Sequence, residues 1–165
     1  MLEVKVKLGD YLREKKGDVG ATIPTVKHEG DAGLDFYSAY DYILKPFSFQ
    51  IIKTGISVEF PEGFVGLLKP KSSNDHLVGA GVVDQTYRGE ILFKLFNPLS
   101  YDRVIRAGDP VGQMIFVRNE SPKVILTEES LSDTERGSEG GIVTQWKNRI
   151  EREGDVWIQG KLSGI

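Results

Sequence analysis

The placement of glycine and proline constrains this chain more than any other feature. Nineteen glycines and seven prolines cut it into short apolar runs. Leu2, Val4, Val6 and Leu8 alternate with Glu3, Lys5 and Lys7. That period of two marks a half-buried strand, because successive side chains on an extended backbone point to opposite faces. Strand-like runs recur at 31–42, 49–60, 64–69, 91–97, 111–117 and 124–127. Thr54-Gly55 marks a bend or bulge inside the second of these. Pro61-Glu62-Gly63 and the Arg-Ala-Gly-Asp-Pro sequence at 106–110 supply turn chemistry. Helical patterning is limited to one turn at 11–16 and a short charged helix at 146–153. Many short strands between such turns predict an all-β sandwich or barrel.

A length of 165 residues predicts one domain with its own core. The expected organisation is a β domain over 1–127, a mobile glycine-rich arm over 128–145 and an extension over 146–165. The chain has no cysteine, which excludes a disulfide framework and Cys-based metal sites and fits a reducing compartment. No apolar run reaches membrane-spanning length, and the N-terminus alternates too regularly for a signal peptide. A cytoplasmic protein is expected (host cytoplasm if viral), with no membrane partner. The net charge of -3 argues against broad nucleic-acid binding, which needs a basic face. An anionic ligand would have to be met by cations gathered locally.

The stretch 79–90, Gly-Ala-Gly-Val-Val-Asp-Gln-Thr-Tyr-Arg-Gly-Glu, reads as a β-hairpin with one acid, Asp84, and one ring, Tyr87, at its bend. Other chemistry-bearing residues also fall at turns: Asp31 and Asp35, Lys71, Ser72 and Ser73, Arg88, Asp109 and Gln113, Arg136 and Ser138. Hydroxyls, cations and glycine amides bind phosphate oxygens, whereas carboxylates serve a hard cation or activate water. Each of these residues alone is more simply a turn former. His28 and His76 are isolated, and solvated or structural roles are expected for both, since zinc needs grouped ligands. The chain carries neither a P-loop nor a dinucleotide-binding glycine motif.

Five segments, taken in order, resemble the motifs of the trimeric dUTPase family. They are Asp31-Ala-Gly-Leu-Asp-Phe-Tyr-Ser-Ala, Pro70-Lys-Ser-Ser, Gly81-Val-Val-Asp-Gln-Thr-Tyr-Arg-Gly-Glu, Gly108-Asp-Pro-Val-Gly-Gln and Arg136-Gly-Ser-Glu-Gly-Gly. The resemblance runs from residue 1 to about 145 and implies a distorted jelly roll assembled as a homotrimer, with active sites between subunits. It implies hydrolysis of dUTP to dUMP and pyrophosphate, with Mg²⁺ held by the three phosphates.

Carried over by position, Asp84 is the base that orients water onto the α-phosphorus. Its ionised form is required, so acidification removes activity. Tyr87 lies against the deoxyribose and excludes a 2′-hydroxyl, and the backbone around Ala80, Gly81, Val83 and Leu92 pairs with uracil. Asp35 holds waters of the Mg²⁺ shell. Lys71, Ser72, Ser73 and Gln113 meet the phosphates, Arg136 meets the γ-phosphate, and Gly137, Ser138, Gly141 and Ile142 complete the arm over the substrate.

The chain departs from the family pattern in three places. Lysine stands at 71 where the family usually has arginine, a point charge replacing a planar fork. The link from Pro70 to Asp84 is shorter than in many relatives. The arm places Gly141 or Ile142 where an aromatic usually covers the base; Trp146 reads first as a helix-face tryptophan, with a substitute stacking ring as the alternative. A dCTP deaminase on the same fold is disfavoured, because Lys94 stands where its catalytic glutamate belongs and Tyr87 where it carries tryptophan. The alternative is a regulator on this fold that binds nucleotide or a protein partner with little turnover.

Overall fold

The protein is described from a computed structural model covering residues 2–9 and 20–134. The expectations for 11–16, for the arm at 136–142 and for 146–153 lie outside the described residues. The chain divides into two units, Met1–Pro122 and Lys123–Ile165. In the second unit the described residues form no strand. Val124, Ile125 and Leu126 are 91%, 74% and 95% exposed, so the strand expected at 124–127 is not formed. Its apolar side chains find no burial to offset the entropy of ordering them.

The first unit carries the strands. In chain order they are β1 (Lys5–Leu8), β2 (Gly33–Tyr37), β3 (Tyr42–Leu44), β4 (Phe49–Glu59) and β5 (Phe64–Lys69), followed by β6 (Leu77–Val78), β7 (Gly81–Val83), β8 (Glu90–Phe96), β9 (Arg103–Ile105) and β10 (Pro110–Arg118). They form two four-stranded sheets, β1-β4-β8-β6 and β2-β10-β5-β7, and a two-stranded ribbon, β3-β9. All the pairings are antiparallel. The all-β expectation holds: among the described residues there is no helix, hence none long and apolar enough to cross a membrane.

Alternation places the core. Along β8, Ile91, Phe93 and Leu95 are buried while Leu92 and Lys94 are exposed. Ile52, Ile56 and Val58 of β4 lie in the same core cluster, as do Phe36, Leu68 and Met114 from the other sheet. Phe36 and Phe93 join the sheets through tilted rings 5.7 Å apart. Side chains at such positions each contribute about 1.5–3 kcal/mol by leaving water.

The bend anticipated at Thr54-Gly55 is a bulge. The β4–β8 register shifts between Lys53 and Ser57, with Gly55 at φ 69°. Its polar groups are satisfied by Thr54 Oγ1 donating to Ile91 O (2.7 Å) and Gly55 N donating to Glu90 Oε1 (2.8 Å).

The segment 79–90 is not a paired hairpin. β7 pairs with β5, and β8 pairs with β4 and β6, so its two arms belong to different sheets. Val83 and Ile91 both point into the core, at 7% and 1% exposure. The connection over 84–89 is an arch from one sheet to the other.

Candidate functional site

The arch is held by bonds to its own backbone and to neighbouring loops. Tyr87 N donates to Asp84 O (3.0 Å), closing a turn, and Arg88 Nη1 donates to Gln85 O (2.6 Å). Gln85 Oε1 accepts from Gly63 N (2.8 Å), and Tyr87 Oη donates to Glu90 O (3.1 Å). A Cβ at Gly89 would collide with the Tyr87 hydroxyl, so glycine there permits the ring position. The Asp84 side chain is exposed and makes no hydrogen bond or ion pair to a described residue. It projects at a cleft of about 240 Å³ lined by Leu68, Gly81, Val82, Val83, Asp84, Tyr87, Glu90, Ile91 and Leu92. Gly81 lies opposite Leu68, whose Cδ1 would stand 2.8 Å from an added Cβ. The chain therefore keeps backbone, not side chain, at this wall.

A second cleft of about 440 Å³ gathers Lys27, His28, Asp31, Ala32, Gly33 and Asp35 with Lys71, Ser72, Ser73, Gln113 and Ile115. β10 is central to it: Gln113 lies opposite Asp35 on β2 and Lys69 on β5. Gln113 Nε2 donates to Pro70 O (2.9 Å). Its side chain occupies the space a Cβ on Gly33 would need. Asp35 is buried and ion-paired to Lys71, with side chains 7% and 16% exposed. Asp31 Oδ2 accepts from His28 N (3.0 Å) across a turn that uses Gly30 at φ 90°. Ser72 and Ser73 sit at the centre of the turn closed by Asn74 N donating to Lys71 O (3.1 Å). Both serines are exposed, and neither hydroxyl is bonded to a described residue.

The expected site residues are thus brought together in two groups. Asp84, Tyr87, Gly81, Val83 and Leu92 line the first cleft, and Asp35, Lys71, Ser72, Ser73 and Gln113 line the second. No residue lines both. Ala80 lines neither, and Arg136, Gly137, Ser138, Gly141 and Ile142 lie outside the described residues. Sequence reasoning missed Leu68 and Glu90 in the first group and Lys27 in the second. It also set His28 aside, although His28 lines the second cleft. Only the strand register that sets Leu68 opposite Gly81 could have signalled the first of these.

No group of three or more His, Asp or Glu side chains suited to a metal ion occurs among the described residues. Asp31 and Asp35 still offer hard oxygen donors in the second cleft. That set fits a hydrated Mg²⁺ whose remaining ligands come from phosphate and water, the usual preference of this ion.

The sequence model of the dUTPase family matches residues 20–144. The chain belongs to the dUTPase family. It is similar to the deoxyuridine 5′-triphosphate nucleotidohydrolase of fowlpox virus, 38% identical over 126 residues that cover 73% of this chain and 87% of that one. The mitochondrial human counterpart is 39% identical over 144 residues, covering 85% of this chain and 56% of the human one. Among solved structures, the dUTPase of Staphylococcus bacteriophage 80alpha with dUPNHPP superposes with a TM-score of 0.69 at 25% identity, covering 84% of this chain and 96% of that one. A variant dUTPase from phage phi11 of S. aureus, which coordinates a structural Mg(II) ion, gives 0.68 at 24% identity, over 79% and 99% of the two chains. The family match stops at 144, so 145–165 lie beyond it.

Proposed function

We propose that the protein hydrolyses dUTP to dUMP and pyrophosphate, and that it does so as a homotrimer whose sites lie between copies. The observation that carries this reading is the braced arch, which presents one unpartnered carboxylate, Asp84, beside a backbone-walled cleft. A cleft of about 240 Å³ suits a pyrimidine and its sugar. The Gly81 wall offers amide and carbonyl groups to the uracil edge, and the role given to Tyr87, a lining residue of the same cleft, is to exclude a 2′-hydroxyl. Asp84 takes a proton from water as the water oxygen bonds to the α-phosphorus, and the bond from that phosphorus to the bridging oxygen breaks to release pyrophosphate.

The phosphates fall to the second cleft. Ser72 and Ser73 donate through free hydroxyls, Gln113 through its amide, and Lys71 contributes charge. Asp31 and Asp35 meet the hydration shell of Mg²⁺, which when bound offsets the charge of the triphosphate. Lys71 and Asp35 are each other's partners here, so substrate and metal have to exchange places with that pair. The two clefts share no lining residue, which accords with a site completed between copies, the arch of one facing the second cleft of another.

The test is pyrophosphate release from dUTP with Mg²⁺ by the wild type and Asp84→Asn, with dCTP and dTTP run alongside. Turnover of dUTP alone, abolished by the substitution, is expected. Equal rates for the two proteins would overturn the enzymatic reading, and comparable turnover of dCTP or dTTP would overturn the uracil assignment.

A further inference from the structure

The segment between the serine turn and β6 contributes nothing to either cleft, yet among the described residues it holds the most buried titratable group outside them. His76 is 2% exposed. Its surroundings point to a task at the edge of β10. Pairing between β5 and β10 ends at Lys69 opposite Gln113. On the other side of β10, the register with β2 shifts between Pro110 and Gly112. The carbonyls of Pro110 and Val111 therefore extend past the β5 ladder, and Val111 is wholly buried. Left unpaired, a buried carbonyl costs about 1–3 kcal/mol.

Two side chains take the place of the missing strand. Asn74 Nδ2 donates to Pro110 O (3.0 Å), and His76 Nε2 lies 3.1 Å from Val111 O. A carbonyl only accepts, so the bond to Val111 O needs a hydrogen on Nε2, which the neutral Nε2–H tautomer and the imidazolium both carry; Asn74 Nδ2 lies 3.2 Å from the same nitrogen. In the neutral Nε2–H form Nδ1 is a bare acceptor, buried and without a partner among the described residues. The charged groups facing the ring are Asp75 and Arg103 of β9, ion-paired to each other. Burial, with Arg103 adding to it, holds the His76 pKa below its ordinary value against the opposing pull of Val111 O and Asp75. Burial thereby favours the neutral ring, whose Nε2–H form still makes the bond to Val111 O.

We propose that His76 and Asn74 are positioning residues for the phosphate-binding turn, anchoring it to β10 so that Ser72 and Ser73 stand beside Gln113. This rests on the reading of the second cleft as the triphosphate site. The turn itself is closed by one backbone bond, Asn74 N to Lys71 O. At its entry, Pro70 O is held by Gln113, and at its exit Asn74 and His76 hold the same strand three and two residues earlier, at Pro110 and Val111. Both anchors end on β10, so the serine hydroxyls are fixed relative to Gln113, at the exit by Asn74 and His76, which line neither cleft. Small displacements of such groups are costly to catalysis, up to about a hundredfold for 1 Å.

The test compares wild type, His76→Leu, His76→Gln and Asn74→Ala, each as the full chain with Mg²⁺. Two readouts are taken: the Kd of a non-hydrolysable dUTP analogue, and the inhibition constant of deoxyuridine, which carries no phosphate. His76→Leu and Asn74→Ala are expected to weaken the analogue by about tenfold while leaving deoxyuridine within about twofold. His76→Gln, whose side-chain amide can donate to Val111 O, is expected to bind the analogue as the wild type does. Equal weakening of both ligands would mark a merely structural role and overturn the proposal, as would analogue binding that is unchanged in Asn74→Ala. The partly exposed Asn74 keeps the test available if His76→Leu does not fold. A wild type that binds neither ligand would instead overturn the substrate reading.

Discussion

The two clefts of this chain are built on opposite plans. The arch around Asp84 is braced by hydrogen bonds that Tyr87 and Arg88 donate and that Gln85 and Glu90 accept, and the acid itself has no partner among the described residues. In the second cleft the charges are already matched: Lys71 is bound to Asp35, and Asp31 is tied to the His28 backbone. On the proposed function, one region recognises by a shape formed in advance, the other by charges that must change partners. A neutral base and sugar reward the first plan, because an apolar cleft with fixed backbone groups loses little on binding. A triphosphate with its cation rewards the second, because paired charges keep the empty site from carrying an unpaired buried carboxylate.

The comparison can be broken from either side. The largest effect is expected from Asp84→Asn, which retains shape but removes the base. Its kcat should fall by about a thousandfold while deoxyuridine inhibition stays unchanged, measured by pyrophosphate release. Next is Lys71→Met, which leaves the Asp35 carboxylate buried and alone. Urea unfolding should show a loss of about 3 kcal/mol, with Lys71→Arg close to wild type.

A paired glycine test follows. Gly89→Ala would displace the Tyr87 ring and Gly33→Ala the Gln113 side chain. The first should weaken deoxyuridine by about tenfold, whereas the second should spare it and weaken only the triphosphate analogue by about tenfold. If Gly33→Ala weakened deoxyuridine as much as the analogue, or Gly89→Ala weakened only the analogue, the division between the regions would not hold.

The smallest effect concerns pH. The folded-state pKa of His76 is depressed below its ordinary 6.5, so as pH falls through 6.5 the unfolded chain takes up a proton before the folded one. Its contribution to stability is fully present above that pH and is lost on the way down to the folded pKa. Urea midpoints between pH 7.5 and 5.5 should fall more steeply for the wild type than for His76→Gln.

Much of this architecture was legible in the residues. The runs at 49–60, 64–69, 91–97 and 111–117 became β4, β5, β8 and β10, because each is long enough for a period of two to show which face is buried. β3, β6 and β9, of two or three residues each, are too short to carry a period. The arch was misread as a hairpin because inward-facing Val83 and Ile91 look the same whether their strands pair with each other or with different neighbours. That choice is made by β4 and β5, far away in sequence.

At the site, Asp84, Tyr87 and the Lys71-Ser72-Ser73 turn stood out as charge, ring and hydroxyls at bends. The Lys71–Asp35 pair and the bond from His76 to Val111 did not. Each joins residues more than thirty positions apart, and no local pattern records such a meeting.

The central claim, that Asp84 of one copy serves the phosphate cleft of another, is tested most directly by mixing two crippled chains. Asp84→Asn lacks the base, and Ser72→Ala combined with Ser73→Ala and Gln113→Ala lacks the phosphate contacts. Co-produced so that mixed oligomers form, they should recover about a quarter of the wild-type rate of pyrophosphate release, since random association pairs an intact arch with an intact second cleft that often. A mixture no more active than the sum of its separate components would contradict a site shared between copies.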